Sequence, residues 1–252
     1  MNDLLNDLMA ARRSGQPIDA TRYAVASTEE AYALQEAFAA AVDGRDGANG
    51  DTIARHWKSG GPGRDQPTTH APLPLPGVWS SPADARAWPF IQPHIEAEIA
   101  VRLGRAVTPA DAAALRPDEV APWVDAMTVS IEVVDSRWQQ FRAAPALLRL
   151  ADLQVHGALV LGDWQPFRAL DWAAQRVSVT IGAETRPFTG SHAMGDPLFV
   201  LPAWLRHLTR HGATVPAGTV VTTGTWCGLL PARAGDAVVV RFDGVGQASV
   251  QL

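Results

Sequence analysis

Hydrophobic and polar residues alternate in the central part of the chain in a way that predicts a β-strand over residues 94–101. The apolar positions of this strand share one face: Ile95, Ala97, Ile99 and Val101. His94, Glu96 and Glu98 fall on the opposite face. That face is either exposed to solvent, as in many half-buried strands, or its two carboxylates bind one cation. Without a cation or water around them, the two carboxylates would repel each other.

A second β-prone segment, residues 130–137, places Glu132 among residues that prefer burial. An unpaired ionised carboxylate in such a position would be costly. If Glu132 converges with Glu96 and Glu98, the three side chains form a site of hard oxygen ligands. Such a site suits Mg²⁺, Mn²⁺ or Ca²⁺ better than Zn²⁺ or Cu²⁺.

The remaining pattern predicts an α+β fold, with an N-terminal helical segment, residues 1–50, followed by a β-rich catalytic domain, residues 51–252, as one compact unit. Helical spacing and capping residues predict helices over residues 1–14, 27–42, 108–119 and 197–211. Strands are predicted over residues 52–58, 158–161, 177–181, 219–225, 237–242 and 247–252. Residues 62–93 are rich in proline and are predicted to form a long irregular loop. Loops of this length often act as lids or binding loops.

Composition narrows the class of protein. The chain has 252 residues, of which 47% are hydrophobic and 19% are charged, which is typical of a globular protein with a sizeable core. A net charge of −5 argues against a nucleic-acid-binding surface. No stretch approaches the ~20 apolar residues that a membrane span requires. The one cysteine, Cys227, fits a reducing cytoplasm and a packing role rather than a nucleophile.

Lys58 ends a predicted strand and precedes the glycine-rich turn 60–63. It is a candidate contact for an anionic substrate, because backbone N–H groups in such a turn are approachable; the alternative is a solvated lysine before an ordinary turn. His56 shares the face of Lys58. His156 and His192 are candidate proton donors, although a histidine without an identified partner more often has a structural role.

Several motifs, taken in order, resemble the fumarylacetoacetate hydrolase superfamily, most closely its branch of 2-keto-4-pentenoate hydratases and 4-oxalocrotonate decarboxylases. They are residues 31–35, 92–100, 131–137, 194–198, 223–225 and 234–236. The resemblance implies a mixed β-roll or sandwich core of the fumarylacetoacetase C-terminal-domain type. It also implies a small 2-oxo acid substrate and a divalent metal, usually Mg²⁺, with Mn²⁺ or Ca²⁺ possible.

The resemblance assigns roles by position. It implies metal ligands at Glu96, Glu98 and Glu132, a catalytic Lys58, and substrate contacts at Gly60, Gly61, Asp152 and Thr225. Two segments depart from the family pattern. Residues 58–62 replace the usual Lys-x-Gly-Leu-Thr, and residues 152–156 replace Asp-Asn-x-Ser by Asp-Leu-Gln-Val-His. No histidine occurs between Met1 and Asp51, which argues against the His–Glu lid of the hydrolase branches.

These observations predict a cytoplasmic metal-dependent hydratase that acts on a small 2-oxo or 2-hydroxydienoic acid. A cation chelated by the substrate would stabilise charge on an enolate, and Lys58 would hold the substrate carboxylate or move a proton. A 2-oxo acid decarboxylase, a C–C hydrolase of an acylpyruvate and a non-enzymatic family member are the alternatives. The resemblance further implies a homo-oligomer and association with a related decarboxylase or hydratase; no nucleic-acid or membrane partner is expected.

Overall fold

Two β-sheets packed face to face form the centre of the computed structural model, which describes residues 2–44 and 53–252. The strands are β1 (His56–Gly60), β2 (Thr69–Pro72), β3 (Val78–Ser80), β4 (Ala83–Asp84), β5 (His94–Leu103), β6 (Val124–Val134), β7 (His156–Leu161), β8 (Gln165–Pro166), β9 (Arg176–Ile181), β10 (Glu184–Thr189), β11 (Val220–Thr222), β12 (Leu230–Pro231), β13 (Ala237–Phe242) and β14 (Gly246–Gln251). The large sheet has the order β2-β1-β11-β5-β6-β7-β3, with β12 beside β5 and β8 beside β6. The small sheet has the order β10-β9-β13-β14-β4. Both sheets contain parallel and antiparallel pairs, so the predicted mixed β core is confirmed.

The described residues form five α-helices. They are α1 (Asn2–Ser14), α2 (Thr28–Val42), α3 (Pro109–Ala114), α4 (Ala146–Ala151) and α5 (Leu201–Thr209). The hydroxyl of Ser27 begins α2 by accepting a hydrogen bond from the backbone N–H of Glu30 at 3.2 Å. Side chains of α1, α2 and α4 form one hydrophobic cluster with Trp138. None of the described helices is long and apolar enough to cross a lipid bilayer.

The main hydrophobic core lies between the two sheets. Ile95 and Ile99 of β5 and Ile131 of β6 are fully buried there, in one cluster with Val240 of the small sheet. The predicted apolar face of residues 94–101 is therefore confirmed. Because side chains alternate along a strand, the other residues of β5 and β6 project from the opposite face of the large sheet, next to the helices.

Several element boundaries differ from the predictions. Residues 62–93 are not irregular throughout, because they contain β2, β3 and β4, and β2 pairs with β1. The helix predicted over residues 108–119 ends at Ala114, since Pro117 holds the residue before it in an extended conformation. The strand β10 was not predicted. The strand predicted over residues 52–58 begins at His56, and the predicted domain boundary at residues 50 and 51 lies outside the described residues.

Candidate functional site

Three glutamates from β5 and β6 converge on the helix-facing side of the large sheet. The antiparallel register pairs Glu96 with Glu132 and Glu98 with Ser130, so neighbouring strands bring the three side chains together. One carboxylate oxygen from each glutamate lies within 4.8 Å of the other two. The structure thus brings together the residues that the sequence singled out, and their role as metal ligands stays a prediction.

The electrostatic environment disfavours three negative charges at this point. Burial, followed by the neighbouring Glu132, raises the pKa of Glu96 to about 8 and that of Glu98 to about 7. Burial would also raise the pKa of Glu132, but Lys58 and His156 outweigh it and lower that pKa. A divalent cation would supply the positive charge that the group otherwise lacks.

Glu132 contributes a buried oxygen that has no hydrogen-bond partner within the described part of the chain. Glu132 Oε2 is buried and accepts no hydrogen bond from any described residue. A buried acceptor left unsatisfied typically costs about 1–3 kcal/mol, and more when it is charged. Three hard oxygen donors close to one another, with a buried Glu132 oxygen that lacks a partner, fit Mg²⁺, Mn²⁺ or Ca²⁺ as the occupant.

Lys58 approaches the glutamates from β1, across the short strand β11 that separates β1 from β5. The parallel register places Lys58 beside Thr222, whose hydroxyl donates to Glu98 Oε2. Lys58 Nζ donates to Glu132 Oε1 at 2.6 Å and to the carbonyl of Gln154 at 3.4 Å. Burial alone would lower the pKa of Lys58, but Glu132 and the other glutamates outweigh it and raise that pKa, so the side chain is an ammonium.

The turn after β11 supplies a second contact to the glutamates. The backbone N–H of Gly224 donates to Glu98 Oε2 at 3.1 Å. Gly224 has φ of +107°, a conformation that side-chain-bearing residues rarely adopt. The hydroxyl of Thr225 donates to the carbonyl of Gly228 at 2.9 Å, which fixes the shape of the turn.

His156 also contacts Glu132, which the sequence did not predict. Its Nδ1 lies 3.1 Å from Glu132 Oε1, and its side chain is fully buried. Burial lowers the pKa of His156 to about 4, so the ring is neutral and Nδ1 carries the donated proton. Its Nε2 is buried without a partner among the described residues. His156 therefore positions Glu132. In the sequence, the only sign of this role was that His156 lies in a segment that departs from the family pattern.

The segment before His156 is an unusual left-handed turn. Leu153, Gln154 and Val155 have φ values of 51°, 52° and 57°. Left-handed backbone costs about 1–2 kcal/mol per residue that carries a side chain, so the surrounding structure must hold this turn in place. The turn aims the Gln154 carbonyl at Lys58.

A buried ion pair between Asp152 and Arg137 anchors this turn. Asp152 Oδ1 accepts from Arg137 Nε at 2.5 Å, and Oδ2 accepts from the Arg137 backbone N–H at 3.1 Å. Both side chains are fully buried, and neither lines the pocket described below. Each carboxylate oxygen of Asp152 therefore accepts a hydrogen bond from Arg137, and the substrate contact that the resemblance implies for Asp152 stays a prediction.

An open pocket of about 990 Å³ lies beside the glutamates. Six residues singled out from the sequence line it: Lys58, Gly60, Gly61, Glu96, Glu98 and Thr225. Further lining residues were not predicted, namely Tyr32, His70, Arg142, Arg149, Gln154 and His207. They come from α2, β2, α4, α5 and two connecting segments, so no local pattern identifies them.

The other residues considered from the sequence lie outside the pocket lining. His192 Nε2 lies 2.9 Å from the carbonyl of Thr223, a contact with a structural role. Burial raises the pKa of Cys227 to about 11, and its Sγ accepts from the Ala97 backbone N–H at 3.2 Å. That environment suits the predicted packing role. His56 is half-buried, and its Nδ1 has no partner among the described residues.

The family model of the fumarylacetoacetate (FAA) hydrolase C-terminal domain matches residues 45–252. The chain belongs to this family. The match covers the whole β-rich part of the chain, including β5, β6 and β11, which position the glutamates and Lys58. The resemblance seen in the sequence is therefore confirmed at the family level.

Individual relatives come from one branch of the family. The 2-keto-4-pentenoate hydratase 1 of Dechloromonas aromatica (strain RCB) is 32% identical over 167 residues, which are 64% of this chain and 60% of that protein. A 4-oxalocrotonate decarboxylase of Pseudomonas putida is 27% identical over 165 residues, or 64% of this chain and 61% of that protein. The chain thus spans about 60% of the length of the curated relatives it matches.

A solved structure extends the similarity of fold to nearly the entire chain. The 4-oxalocrotonate decarboxylase from Pseudomonas putida G7, complexed with magnesium and adipate, has a TM-score of 0.81 and 20% sequence identity. The superposition covers 99% of this chain and 95% of that chain. The helical segment that precedes β1 therefore belongs to the same architecture as the sheets.

Proposed function

We propose that this chain is a divalent-metal-dependent hydro-lyase that acts on a small 2-oxo or 2-hydroxydienoic acid. The observation that carries the proposal is the group of three glutamates, one with an unpartnered buried oxygen, beside an open pocket. The hydratases among its relatives support the reaction class. We propose Mg²⁺ as the metal, with Mn²⁺ or Ca²⁺ as alternatives, because all three take hard oxygen ligands.

In this proposal Glu96, Glu98 and Glu132 hold the cation. A bound divalent cation supplies Lewis acidity that polarises a keto oxygen and stabilises the charge developing on it. Lys58 keeps Glu132 ionised and fixed through their 2.6 Å contact, and its remaining N–H groups can donate to a substrate oxygen. We favour this electrostatic role over that of a general base, because an ammonium paired with a carboxylate has no free electron pair.

The walls of the pocket would orient the substrate. Gly60 and Gly61 bring backbone close to the pocket, and a Cβ on Gly61 would lie 3.1 Å from the Pro67 carbonyl, so a larger residue there would disturb the wall. Thr225 completes the proposed substrate contacts. A homo-oligomer, association with a related decarboxylase or hydratase, and a cytoplasmic location remain predictions.

A 2-oxo acid decarboxylase is the second candidate function, supported by the decarboxylases among the relatives of this chain. It would use the same glutamates and the same Lys58. The C–C hydrolase reading has less support. Residues 1–51 contain no histidine, and α2 presents Tyr32 to the pocket instead.

Ultraviolet absorbance tests these candidates. The purified protein with Mg²⁺ is incubated with a panel of 2-hydroxydienoates, oxalocrotonate-like acids and acylpyruvates. Loss of the conjugated chromophore without CO₂ supports the hydratase, and CO₂ release supports the decarboxylase. Two carboxylic fragments would identify a hydrolase.

The matched variants are Glu98→Gln, in the proposed metal site, and Glu184→Gln, on the exposed strand β10. We expect the first to lose turnover and Mg²⁺ binding while its circular dichroism spectrum is unchanged, and the second to behave as the wild type. Full turnover in Glu98→Gln, or no product with any substrate under any divalent metal, would refute the proposal.

A further inference from the structure

The hydrogen bonds that Glu132 accepts all go to the same carboxylate oxygen. Lys58 Nζ donates to Oε1 at 2.6 Å, and His156 Nδ1 donates to it at 3.1 Å. A carboxylate oxygen has about two lone-pair sites, so these two donors fill Oε1. The buried Oε2, which has no partner in residues 2–44 and 53–252, is the oxygen left for a cation. Glu132 can therefore offer a cation one oxygen and not two.

Glu98 is restricted in the same way. Its Oε2 accepts from the hydroxyl of Thr222 and from the backbone N–H of Gly224, the latter at 3.1 Å. Ser130 Oγ lies 2.8 Å from the Thr222 hydroxyl and holds that hydroxyl in place. Oε1 is thus the oxygen of Glu98 that is available to a cation. Glu96 lines the pocket and accepts no hydrogen bond within the described ranges, so it can turn one or two oxygens toward a cation.

The number of oxygens that the glutamates can offer affects the choice of cation. One comes from Glu132, one from Glu98 and one or two from Glu96, so the total is at most four. Ca²⁺ takes about six to eight oxygens and often binds both oxygens of a carboxylate. Mg²⁺ takes about six in a strict octahedron and keeps several waters, and Mn²⁺ also suits octahedral oxygen sites. Holding a glutamate to one oxygen therefore disfavours Ca²⁺ more than the two smaller cations.

His156 is the rigid one of the two donors to Glu132. Lys58 reaches Oε1 through a flexible four-carbon stem, so it can move away when a larger cation approaches. The ring of His156 is fully buried, and its backbone follows the left-handed turn at residues 153–155. Its carbonyl accepts from Arg137 Nη1 at 2.5 Å, which fixes the backbone from the other side. The imidazole therefore has no equivalent freedom to leave Oε1.

We propose that His156 is a positioning residue that keeps Glu132 to a single cation-binding oxygen and thereby makes the site discriminate against Ca²⁺. The proposal rests on the proposed function, because it takes the three glutamates as the metal ligands. His156 acts only through Glu132, at a position where this chain departs from the family pattern. Removing its ring should tighten Ca²⁺ binding and leave Mg²⁺ binding nearly unchanged.

Isothermal titration calorimetry of the metal-free protein with MgCl₂ and with CaCl₂ in one buffer tests the proposal. In His156→Leu the ratio of the Kd for Ca²⁺ to the Kd for Mg²⁺ should fall at least about tenfold, the usual effect of one contact with a charged group. His156→Asn keeps a side-chain N–H near the position of Nδ1, so its ratio should stay within about threefold of the wild type. Circular dichroism checks that each variant is folded.

The control is His56→Leu, which removes a half-buried histidine outside the pocket lining and should keep the wild-type ratio. A crystal structure of the wild type with Ca²⁺ tests the proposal without any substitution, and Glu132 should bind the cation through Oε2 alone.

An unchanged ratio in folded His156→Leu would overturn the proposal. Equal weakening of both metals in that variant would also overturn it, since it indicates a purely structural role. So would a wild-type crystal in which both oxygens of Glu132 bind Ca²⁺. Each of these results leaves the proposed function intact. If the folded wild type binds neither Mg²⁺ nor Ca²⁺, the proposed function itself fails.

Discussion

Replacing Lys58 by methionine should have opposite effects on the metal-free protein and on metal binding. Lys58 Nζ lies 2.6 Å from Glu132 Oε1, with the two side chains 13% and 0% exposed. Removing one partner of a buried ion pair typically costs about 3–5 kcal/mol, because the other charge stays buried and unpaired. Glu132 keeps its contact with His156, so we expect the lower end, about 3 kcal/mol. Without Lys58 the glutamate group is more negative, so its affinity for Mg²⁺ should rise.

Urea unfolding followed by tryptophan fluorescence measures both effects. In EDTA, Lys58→Met should lower the free energy of unfolding by about 3 kcal/mol. Titrating Mg²⁺ should then restore more stability to the variant than to the wild type, since ligands that bind only the folded state stabilise it. Arg86→Met, which breaks an exposed pair with Asp84, is the control and should change neither quantity. Unchanged stability in EDTA, or weaker Mg²⁺ binding by Lys58→Met, would refute the reasoning.

Three further predictions concern the scaffold of the site. Arg137→Met should lower the free energy of unfolding in urea by about 3–5 kcal/mol, because it leaves Asp152 buried and unpaired. The double variant Arg137→Met/Asp152→Leu should recover part of that loss. An unchanged free energy of unfolding in Arg137→Met would contradict this prediction. Gln154→Gly should raise the free energy of unfolding by about 1 kcal/mol, since glycine accepts φ of 52° without strain, and a loss of stability would show that the turn is not strained. Burial lowers the pKa of His70 to about 3 in the folded state, against 6.5 for the ordinary side chain. Protons therefore bind the unfolded chain preferentially below pH 6.5. The free energy of unfolding should fall as the pH drops below 6.5, by up to about 1.4 kcal/mol per pH unit. His70→Gln should flatten that slope in thermal unfolding between pH 6.5 and 4.5, and an unchanged slope would assign it to other groups.

The strands of the site could be predicted largely because one face of each is buried. Strict alternation along β5 identified the side of the strand that carries Glu96 and Glu98, and the structure has the same arrangement. The sequence also indicated that Glu132 needs a partner. Which strand supplies that partner depends on sheet order, and the insertion of β11 between β1 and β5 has no local signature in residues 220–222.

Residues held by long-range contacts were harder to predict. Asp152 matches the family pattern, but a sequence does not reveal that Arg137 occupies both of its oxygens. His156 was one of several histidines without an evident partner, and only the pairing of β6 with β7 brings it to Glu132. Arg149 lies on the short helix α4. The sequence pattern of so short a helix does not show whether a residue lines a pocket or faces solvent.

The strand order of the large sheet has a consequence for how the protein matures during synthesis. β1 carries Lys58 near the start of the chain, yet it joins the strand of Glu96 and Glu98 only through residues 220–222. A ribosome must therefore synthesise residues 220–222, more than one hundred residues after β1, before the lysine can dock against the carboxylates. Until then the acidic cluster has no neighbouring ammonium, and intermediates released early should be poorly ordered around β5 and β6 and prone to chaperone capture.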